Sequence, residues 1–424
     1  MKIAYFSPLP PLKTGISVYS AHLIPYLAKI SDIEIYHPGP CETISDIKIN
    51  DFITNPSVLK KLEKFDVIVY HLGNNPWYHL DIYRVFLEYP GVVVLHDAVL
   101  YYLIAGCGIG GLIKEFCYNY GVERLSEVWG IVRDSIDNNV LRYSNPAQYP
   151  LIKRVLENTK QIIVHSRSTA EFIVENGYFG QLDVVNLIYY PSQLLYSSPE
   201  EILKLRNDLG VSESQILIGT FGFIGPTKRM NKLLEAIYKM KNKSPKIQFK
   251  LLIVGEGDNL DELVHNFGLS KDIINLGFVT EKDFSQYLSA VDIILNLRYP
   301  SMGEASASLI QAMSFSKPVI VTDHAWFSEL PDDAVIKVGF GLTEVDEIVQ
   351  AITKLVMDKK YRENIGLNAK AYVENYCTPQ QVASKYLDTI KASKEPLSFN
   401  QFKPELTTWV LEYFQRRIDE CVPK

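Results

Sequence analysis

Titratable side chains follow two apolar runs that are typical of buried strands. His96 and Asp97 come directly after GVVVL, and Arg167 comes after IIVHS. In an open α/β sheet, ligands bind at the edge formed by the carboxyl ends of the strands. Two adjacent titratable groups at such an edge indicate a binding or catalytic site, although a lone histidine there is usually structural. Arg167 occupies an equivalent edge position.

Two loops have the composition of an anion site. Lys228 and Arg229 follow the predicted strand GTFGFI, and this pair can neutralise a diphosphate, with Arg offering a bidentate fork. Gly15 precedes a predicted helix start, where glycine lets a ligand approach the backbone and the helix N-terminus attracts negative charge. The competing interpretations are a solvated charged turn and an ordinary strand-to-helix turn.

The stretch NLRYPSMGEASASLIQAM, which begins at residue 296, combines several such features. Ser306 or Ser308 can cap the helix that follows, and the small residues at its entrance leave room for phosphate oxygens on backbone N–H groups. Arg298 could supply positive charge, and Glu304 could accept hydrogen bonds from sugar hydroxyls. A glutamate that merely complements the helix dipole is the alternative for Glu304.

Composition limits the class of protein. The 424 residues carry 43 Lys plus Arg against 49 Asp plus Glu, a net charge of −6, which argues against a dedicated nucleic-acid binder. The five cysteines show no CxxC spacing, so neither a disulfide framework nor a zinc site is expected. The N-terminus lacks a signal-peptide core, and Ala98–Ile113 is shorter than the roughly 20 apolar residues of a membrane span. We therefore expect a cytoplasmic protein, and contact with the cytoplasmic face of a membrane stays open.

Apolar strand-length runs alternate with helical patterns along almost the whole chain. This alternation predicts two doubly wound α/β domains. We expect an N-terminal domain over 1–191 and a C-terminal domain over 192–403, with a terminal helix within 404–424 that returns to the first domain. The GxGxxG match at Gly106–Gly111 lies too far from its strand for a dinucleotide fingerprint, which favours a turn between helices.

The chain resembles the group 1 (family four) retaining glycosyltransferases of the GT-B fold over essentially its whole length. The motifs that carry the resemblance occur in the family's order: PPLKTGIS, LHD, IIVHS, FGFIGPTKR, LLIVGEGDNLDEL, GFVTEKDFSQYLSAVDIILN and GEASASLIQAMSFSKPVIVTD. It implies two Rossmann-like domains facing a central cleft. It also implies transfer of a sugar from a UDP- or GDP-linked donor, with retention and without a metal or other cofactor.

The resemblance also implies residue roles. His96 and Glu304 would be the catalytic pair, with His96 facing the donor sugar and Glu304 holding its hydroxyls. The donor and its phosphates would be held by Gly15, Lys228, Arg229, Arg298, Ser306 and Gln311. Asp97 and Arg167 would lie on the acceptor side. The partners would be a nucleotide sugar and a glycan, lipid-linked or small-molecule acceptor, and no nucleic acid.

Two positions depart from the family pattern. Phe223 stands where an arginine is usual, five residues before Lys228, so Arg229 or Arg298 would have to replace it. The usual pair of glutamates seven residues apart is also altered: with Gln311 at the second position, Gly303 falls at the first and Glu304 one residue later. Two rivals stay open at this point, a GT-B nucleotide-sugar 2-epimerase and a non-catalytic protein that binds sugars or nucleotides.

Overall fold

The computed structural model describes residues 1–159, 161–190, 197–243, 247–257 and 260–392. The chain divides into two compact units. Of the described residues, unit 1 contains those of Met1–Asn186, the short segment Met302–Ala305 and residues 379–392, and unit 2 contains those of Leu187–Ser301 and Ser306–Thr378.

Two sheets form the centres of the units. The strands of unit 1 are β1 (Lys2–Phe6), β2 (Asp32–His37), β3 (Ile49–Asp51), β4 (Val67–Leu72), β5 (Val92–Leu95), β6 (Gln161–Val164) and β7 (Gln181–Val184). Those of unit 2 are β8 (Ile216–Phe221), β9 (Phe249–Val254), β10 (Ile273–Asn275), β11 (Ile293–Asn296), β12 (Val319–Thr322) and β13 (Ile336–Val338).

The α-helices connect these strands. The first seven are α1 (Gly15–Leu27), α2 (Pro76–Glu88), α3 (Tyr101–Ala105), α4 (Gly108–Tyr120), α5 (Leu125–Asp134), α6 (Lys153–Asn158) and α7 (Arg167–Glu175). The others are α8 (Pro199–Asp208), α9 (Met230–Lys243), α10 (Leu260–Asn266), α11 (Glu281–Ala290), α12 (Ala307–Ser314), α13 (Glu344–Met357), α14 (Lys359–Tyr376) and α15 (Pro379–Lys391). The GxGxxG match spans the junction of α3 and α4.

Both sheets are parallel and doubly wound. The strand order is β3-β2-β1-β4-β5-β6-β7 in unit 1 and β10-β9-β8-β11-β12-β13 in unit 2. The strands are continuous apolar runs, as in the fully buried β4, because helices cover both faces of a parallel sheet. The predicted fold class, two Rossmann-like α/β domains, is confirmed.

The strand order fixes where a ligand site belongs. In unit 1 the direction of winding reverses between β1 and β4, and in unit 2 it reverses between β8 and β11. Ligands of doubly wound sheets bind at the carboxyl ends of the strands that flank this reversal. A ligand is therefore expected beside the residues that follow β1, β4, β8 and β11.

The division of the chain differs in detail from the predicted domains. The first boundary lies at Asn186/Leu187, five residues before the expected one. α15, which the sequence placed in the C-terminal domain, belongs to unit 1, where Tyr386 accepts a hydrogen bond from Tyr19 at 2.8 Å. The predicted terminal helix at 404–424 lies outside the described residues. No helix in the described chain is both long and apolar enough to cross a membrane.

Candidate active site

The carboxyl edge of the unit 2 sheet holds a buried lysine. Lys228 ends a 3₁₀ turn that follows β8, and it is only 1% exposed. Its Nζ donates to the carbonyl of Phe221, the last residue of β8, at 2.6 Å. A Cβ on Gly222 would lie 3.8 Å from Lys228 Nζ and 3.5 Å from Ser308 Oγ. The ammonium group thus stands beside the start of α12, in the loop where the sequence placed a phosphate contact.

A cluster of hydroxyl and amide groups surrounds the N-terminus of α12. Ser306 is the cap, because its Oγ accepts from the Leu309 N–H at 3.3 Å. Asn296, the last residue of β11, donates through Nδ2 to Ser306 Oγ at 3.1 Å and to Ser308 Oγ at 3.3 Å. Within the described chain, the buried Oδ1 of Asn296 has no hydrogen-bond partner. This edge combines backbone N–H groups with an acceptor that a ligand hydroxyl could satisfy.

Arg298 lies against the lysine loop. Its Nη1 donates to Thr227 Oγ1 at 3.3 Å, and its backbone N–H donates to Thr322 Oγ1 at 3.0 Å, at the end of β12. Thr227 immediately precedes Lys228, and its carbonyl accepts from the Tyr299 N–H at 2.9 Å. The structure therefore brings Arg298 and Lys228 together at one sheet edge, as the sequence suggested for a diphosphate site.

Arg229 has a different environment from its neighbour. Its Nε donates to Glu344 Oε1 at 3.0 Å and its Nη2 donates to Glu344 Oε2, which makes a bidentate pair with a fully buried carboxylate at the start of α13. The hydrogen bond to Glu344 raises the pKa of Arg229. Arg229 adopts a left-handed conformation with φ of 56°. Its guanidinium fork is thus occupied within unit 2, and the phosphate role predicted for it stays a prediction.

Gln311 is also occupied internally. It is 2% exposed, and its Oε1 accepts from the Tyr190 N–H at 3.0 Å. The sequence analysis assigned this side chain to the donor. This hydrogen bond holds the backbone near the start of unit 2, and the donor-binding role predicted for Gln311 stays a prediction.

Glu304 belongs to unit 1 as part of the short segment Met302–Ala305, although the chain on both sides of that segment belongs to unit 2. The Met302 carbonyl accepts from the N–H groups of Ala98 and Val99, at 2.7 and 3.0 Å, and Glu304 Oε2 accepts from the Met302 N–H at 2.6 Å. Gly303 has φ of 85°, and a Cβ there would lie 2.5 Å from Ala98 Cβ. Only glycine fits that position. The predicted C-terminal domain contained Glu304, whereas the compact unit that contains it is unit 1.

The other predicted residues of unit 1 lie at or near its carboxyl edge. Gly15 is the first residue of α1, and apart from its chain neighbours and the backbone of α1 no described atom lies within 4 Å of the place where its Cβ would be. Asp97 Oδ2 accepts from the Asn74 N–H at 2.8 Å, so it fixes the loop after β4. Arg167 opens α7 behind the capping residue Ser166. A ligand can approach the backbone closely at Gly15.

His96 is buried between two further histidines at this edge. His71 Nδ1 lies 2.9 Å from His96 Nε2, and His96 Nδ1 lies 3.2 Å from His165 Nε2. The three rings stand at the ends of the adjacent strands β4, β5 and β6. We call them the histidine array. The sequence carried a signal for it, because VIVYH, VVVLH and IIVHS all end in or near histidine.

Burial keeps the histidine array neutral. It lowers the pKa of His165 to about 4, and it lowers the pKa values of His71 and His96 well below the ordinary histidine value. Positive charge on a neighbouring ring would lower the pKa values of His71 and His96 further. His79 on α2, whose Nδ1 lies 3.2 Å from the His71 carbonyl, has its pKa lowered to about 4 for the same reason.

A pocket of about 1050 Å³ lies elsewhere in unit 1, around the amino ends of β6 and β7. Its lining includes Tyr120, Leu156, Tyr178 and Phe179. Because it lies at the opposite edge of the sheet, it is not the site that the strand order predicts. The candidate site is assigned on the chemistry of the carboxyl edges.

Comparison with known proteins agrees with the chemistry of unit 2. Residues 201–372 match the family model of glycosyl transferases group 1. The similarity to this family therefore covers 172 of the 424 residues. The matched stretch contains Lys228, Arg298, Glu304, Ser306 and Gln311.

The curated relatives are distant. Two uncharacterized glycosyltransferases of Methanocaldococcus jannaschii are each 24% identical, over 46% and 53% of this chain. The alignments cover 50% and 56% of those proteins, so the chain spans about half the length of the curated relatives that it matches.

Solved structures resemble the whole fold. Anabaena HepE, determined in complex with UDP and glucose, has a TM-score of 0.66 at 17% identity, with 92% of this chain and all of that chain covered. Sucrose-phosphate synthase from Thermosynechococcus elongatus has a TM-score of 0.64 at 15% identity, covering 92% of this chain and 98% of that chain. At these identities the likeness shows the GT-B type of fold alone.

Proposed function

We propose that the protein is a retaining, metal-independent glycosyltransferase. It would move a hexose from a UDP- or GDP-linked donor to a hydroxyl of a glycan, a lipid-linked acceptor or a small molecule. The observation that carries the proposal is the edge of unit 2, where buried Lys228 stands beside Ser308 at the N-terminus of α12. The group 1 family match over the same residues supports it, and so do the complexes of HepE with UDP and UDP-glucose.

The chemistry follows from where charge develops. The bond between the sugar C1 and the diphosphate oxygen breaks, and the charge on the leaving diphosphate grows. Lys228 and Arg298 would meet that charge, together with the N–H groups of α12, because preorganised donors stabilise developing charge without reorganising. The acceptor hydroxyl forms the new C1–O bond on the face that the diphosphate leaves. Attack on this same face accounts for retention, and the hydroxyl proton passes to an oxygen of the leaving phosphate.

Donor binding tests the proposal first. The full chain should be screened for thermal stabilisation by UDP, GDP and their hexose conjugates. At about a hundredfold excess over its Kd, a true ligand raises the free energy of unfolding by roughly 3 kcal/mol. We expect one nucleotide class to stabilise the protein clearly more than the other. Absence of stabilisation and of diphosphate release with every donor would refute the function.

Product analysis tests the finer points. With a turned-over donor, the anomeric configuration of the product, read by NMR, should match that of the donor. Activity should persist in EDTA. An inverted product would contradict retention, and loss of activity in EDTA that added metal restores would contradict metal independence.

A further inference from the structure

The histidine array is a hydrogen-bonded chain with a fixed direction. His165 Nδ1 lies 2.8 Å from the Val185 carbonyl, and a carbonyl oxygen can only accept. His165 Nδ1 must therefore carry a hydrogen, and in a neutral ring its Nε2 then carries a lone pair. This lone pair accepts from His96 Nδ1, so His96 Nε2 is also an acceptor. His71 Nδ1 donates to it, and every ring is the Nδ1–H tautomer.

The far end of the chain fits this direction. His71 Nε2 is buried and has no hydrogen-bond partner within the described residues. In the Nδ1–H tautomer, His71 Nε2 carries a lone pair and not an N–H group. This fits its lack of a partner, because a buried N–H group without a partner is rarer than a buried acceptor without one. The surrounding groups on the other elements are Tyr5, Tyr19, His79 and Tyr386. Burial shifts the pKa values of Tyr5, His79 and Tyr386 towards the neutral forms.

The array has a consequence for the chemistry of His96. Each imidazole nitrogen makes one hydrogen bond, and both nitrogens of His96 are used by His71 and His165. The backbone N–H of His96 is also used, because it donates to Leu72 O at 2.9 Å. What His96 can offer to a ligand is its backbone carbonyl and the carbon edge of its ring.

We propose that His71 and His165 are positioning residues that hold His96 as a single neutral Nδ1–H tautomer, so that His96 contacts a ligand without transferring a proton. For the identity of the ligand, a donor sugar, this inference rests on the proposed function. The tautomers themselves do not depend on it.

The first test needs no substrate. Two-bond ¹H–¹⁵N correlation spectra of the full chain with ¹⁵N-histidine report which ring nitrogen carries the hydrogen, and single substitutions assign the signals. At neutral pH we expect Nδ1–H with a bare Nε2 for all three rings. An Nε2–H tautomer or a charged ring at any of the three positions would overturn the proposal. The tautomers are read from the wild-type protein, and the substitutions serve only to assign its signals.

A matched pair of variants tests the positioning role. In His165→Gln, the amide oxygen takes the place of Nε2 and still accepts from His96. In His165→Asn, the amide nitrogen keeps the bond to Val185 O, but the acceptor for His96 is lost. We expect His96 to populate both tautomers only in His165→Asn. The KM of His165→Asn for the donor should be about tenfold higher than that of His165→Gln, because a misplaced His96 binds the donor poorly.

Three outcomes would contradict the role. They are equal KM values for the two variants, an unchanged His96 tautomer in His165→Asn, and a kcat that follows the titration of His96 itself. If the wild-type protein turns over no nucleotide sugar at all, the proposed function fails, and the tautomer measurement still decides the inference about the array.

Discussion

The two sheets have the same winding but carry opposite chemistry at their carboxyl edges. In unit 1, the carboxyl ends of β4, which flanks the reversal, and of its neighbour β5 bear His71 and His96, which are buried and neutral. In unit 2, the corresponding loops bear Lys228 and Arg298, next to the capped start of α12. One scaffold thus supplies an edge suited to uncharged groups and an edge suited to an anion. The function of such folds lies in these edge residues and not in the sheet.

The largest expected difference between the units is their response to acid. His71, His79, His96 and His165 have lowered pKa values, so these four rings stay neutral in folded unit 1, whereas in the unfolded chain they bind protons below the ordinary histidine pKa of about 6.5. The contribution of these neutral rings to the free energy of unfolding is therefore fully present above that pH and is lost as the pH falls. We expect unit 1 to lose about 5 kcal/mol between about pH 7.5 and 5.5. Backbone hydrogen exchange measures this loss, when protection of β4 and β5 in unit 1 is compared with protection of β8 and β9 in unit 2 at each pH.

The matched control for acid sensitivity is His79→Asn, which retains a donor for the His71 carbonyl. Removing one of the four titrating rings should reduce the loss by about a quarter. Equal loss of protection in both sheets would show that the histidines do not distinguish the units.

Lys228→Ala tests the anion edge. Removing a preorganised cation from a developing diphosphate charge should lower kcat by about 10²–10³-fold, or roughly 3–4 kcal/mol. The control is Lys232→Ala, which removes a partly exposed lysine of α9 that pairs with Glu235. Donor turnover assays on both variants decide the outcome. Similar kinetics for the two variants would remove Lys228 from the site.

Comparing Arg229 with Arg298 distinguishes a cation that stabilises the fold from a cation that binds the donor phosphates. Arg229→Ala leaves the buried Glu344 carboxylate without its bidentate partner, and we expect a loss of about 3 kcal/mol in the free energy of unfolding. The donor KM should change by less than about threefold, whereas Arg298→Ala should raise it about tenfold. Denaturant unfolding and kinetics measure both. A large KM effect of Arg229→Ala without loss of stability would restore its predicted phosphate role.

Gly303→Ala probes how firmly Met302–Ala305 is built into unit 1. A methyl group would meet Ala98 and would also force φ of 85° on a non-glycine residue. We expect a loss of about 2 kcal/mol in the free energy of unfolding. Gly108→Ala is the control, because its φ is 76° but nothing lies within 4 Å of the added atom. Equal losses in the two variants would mean that contact with Ala98 contributes nothing.

Local patterns predicted the fold and part of the site. Continuous apolar runs identified the parallel strands, and the loop after β8 was recognised as a place for Lys228. The hydrogen-bond partners of the candidate site residues could not be predicted in this way. The Arg229–Glu344 pair joins residues 115 positions apart, and His71 meets His96 only because β4 and β5 are neighbours in the sheet. No local pattern encodes such pairings, and the same holds for the assignment of Glu304 to unit 1.

Unit 1 begins the chain, yet residues made much later complete it. The core of unit 1 includes Met302, and α15 contributes Tyr386 and the Thr389 carbonyl, which accepts from Gln161 Nε2 at 2.9 Å. At about 5–20 residues per second on the ribosome, the roughly 200 residues between Asn186 and the end of α15 take about 10–40 s to synthesise. The unit that is translated first is therefore the last to be complete. Its histidine-lined edge is enclosed only after α15 has been made, because Tyr386 of that helix stacks on His71.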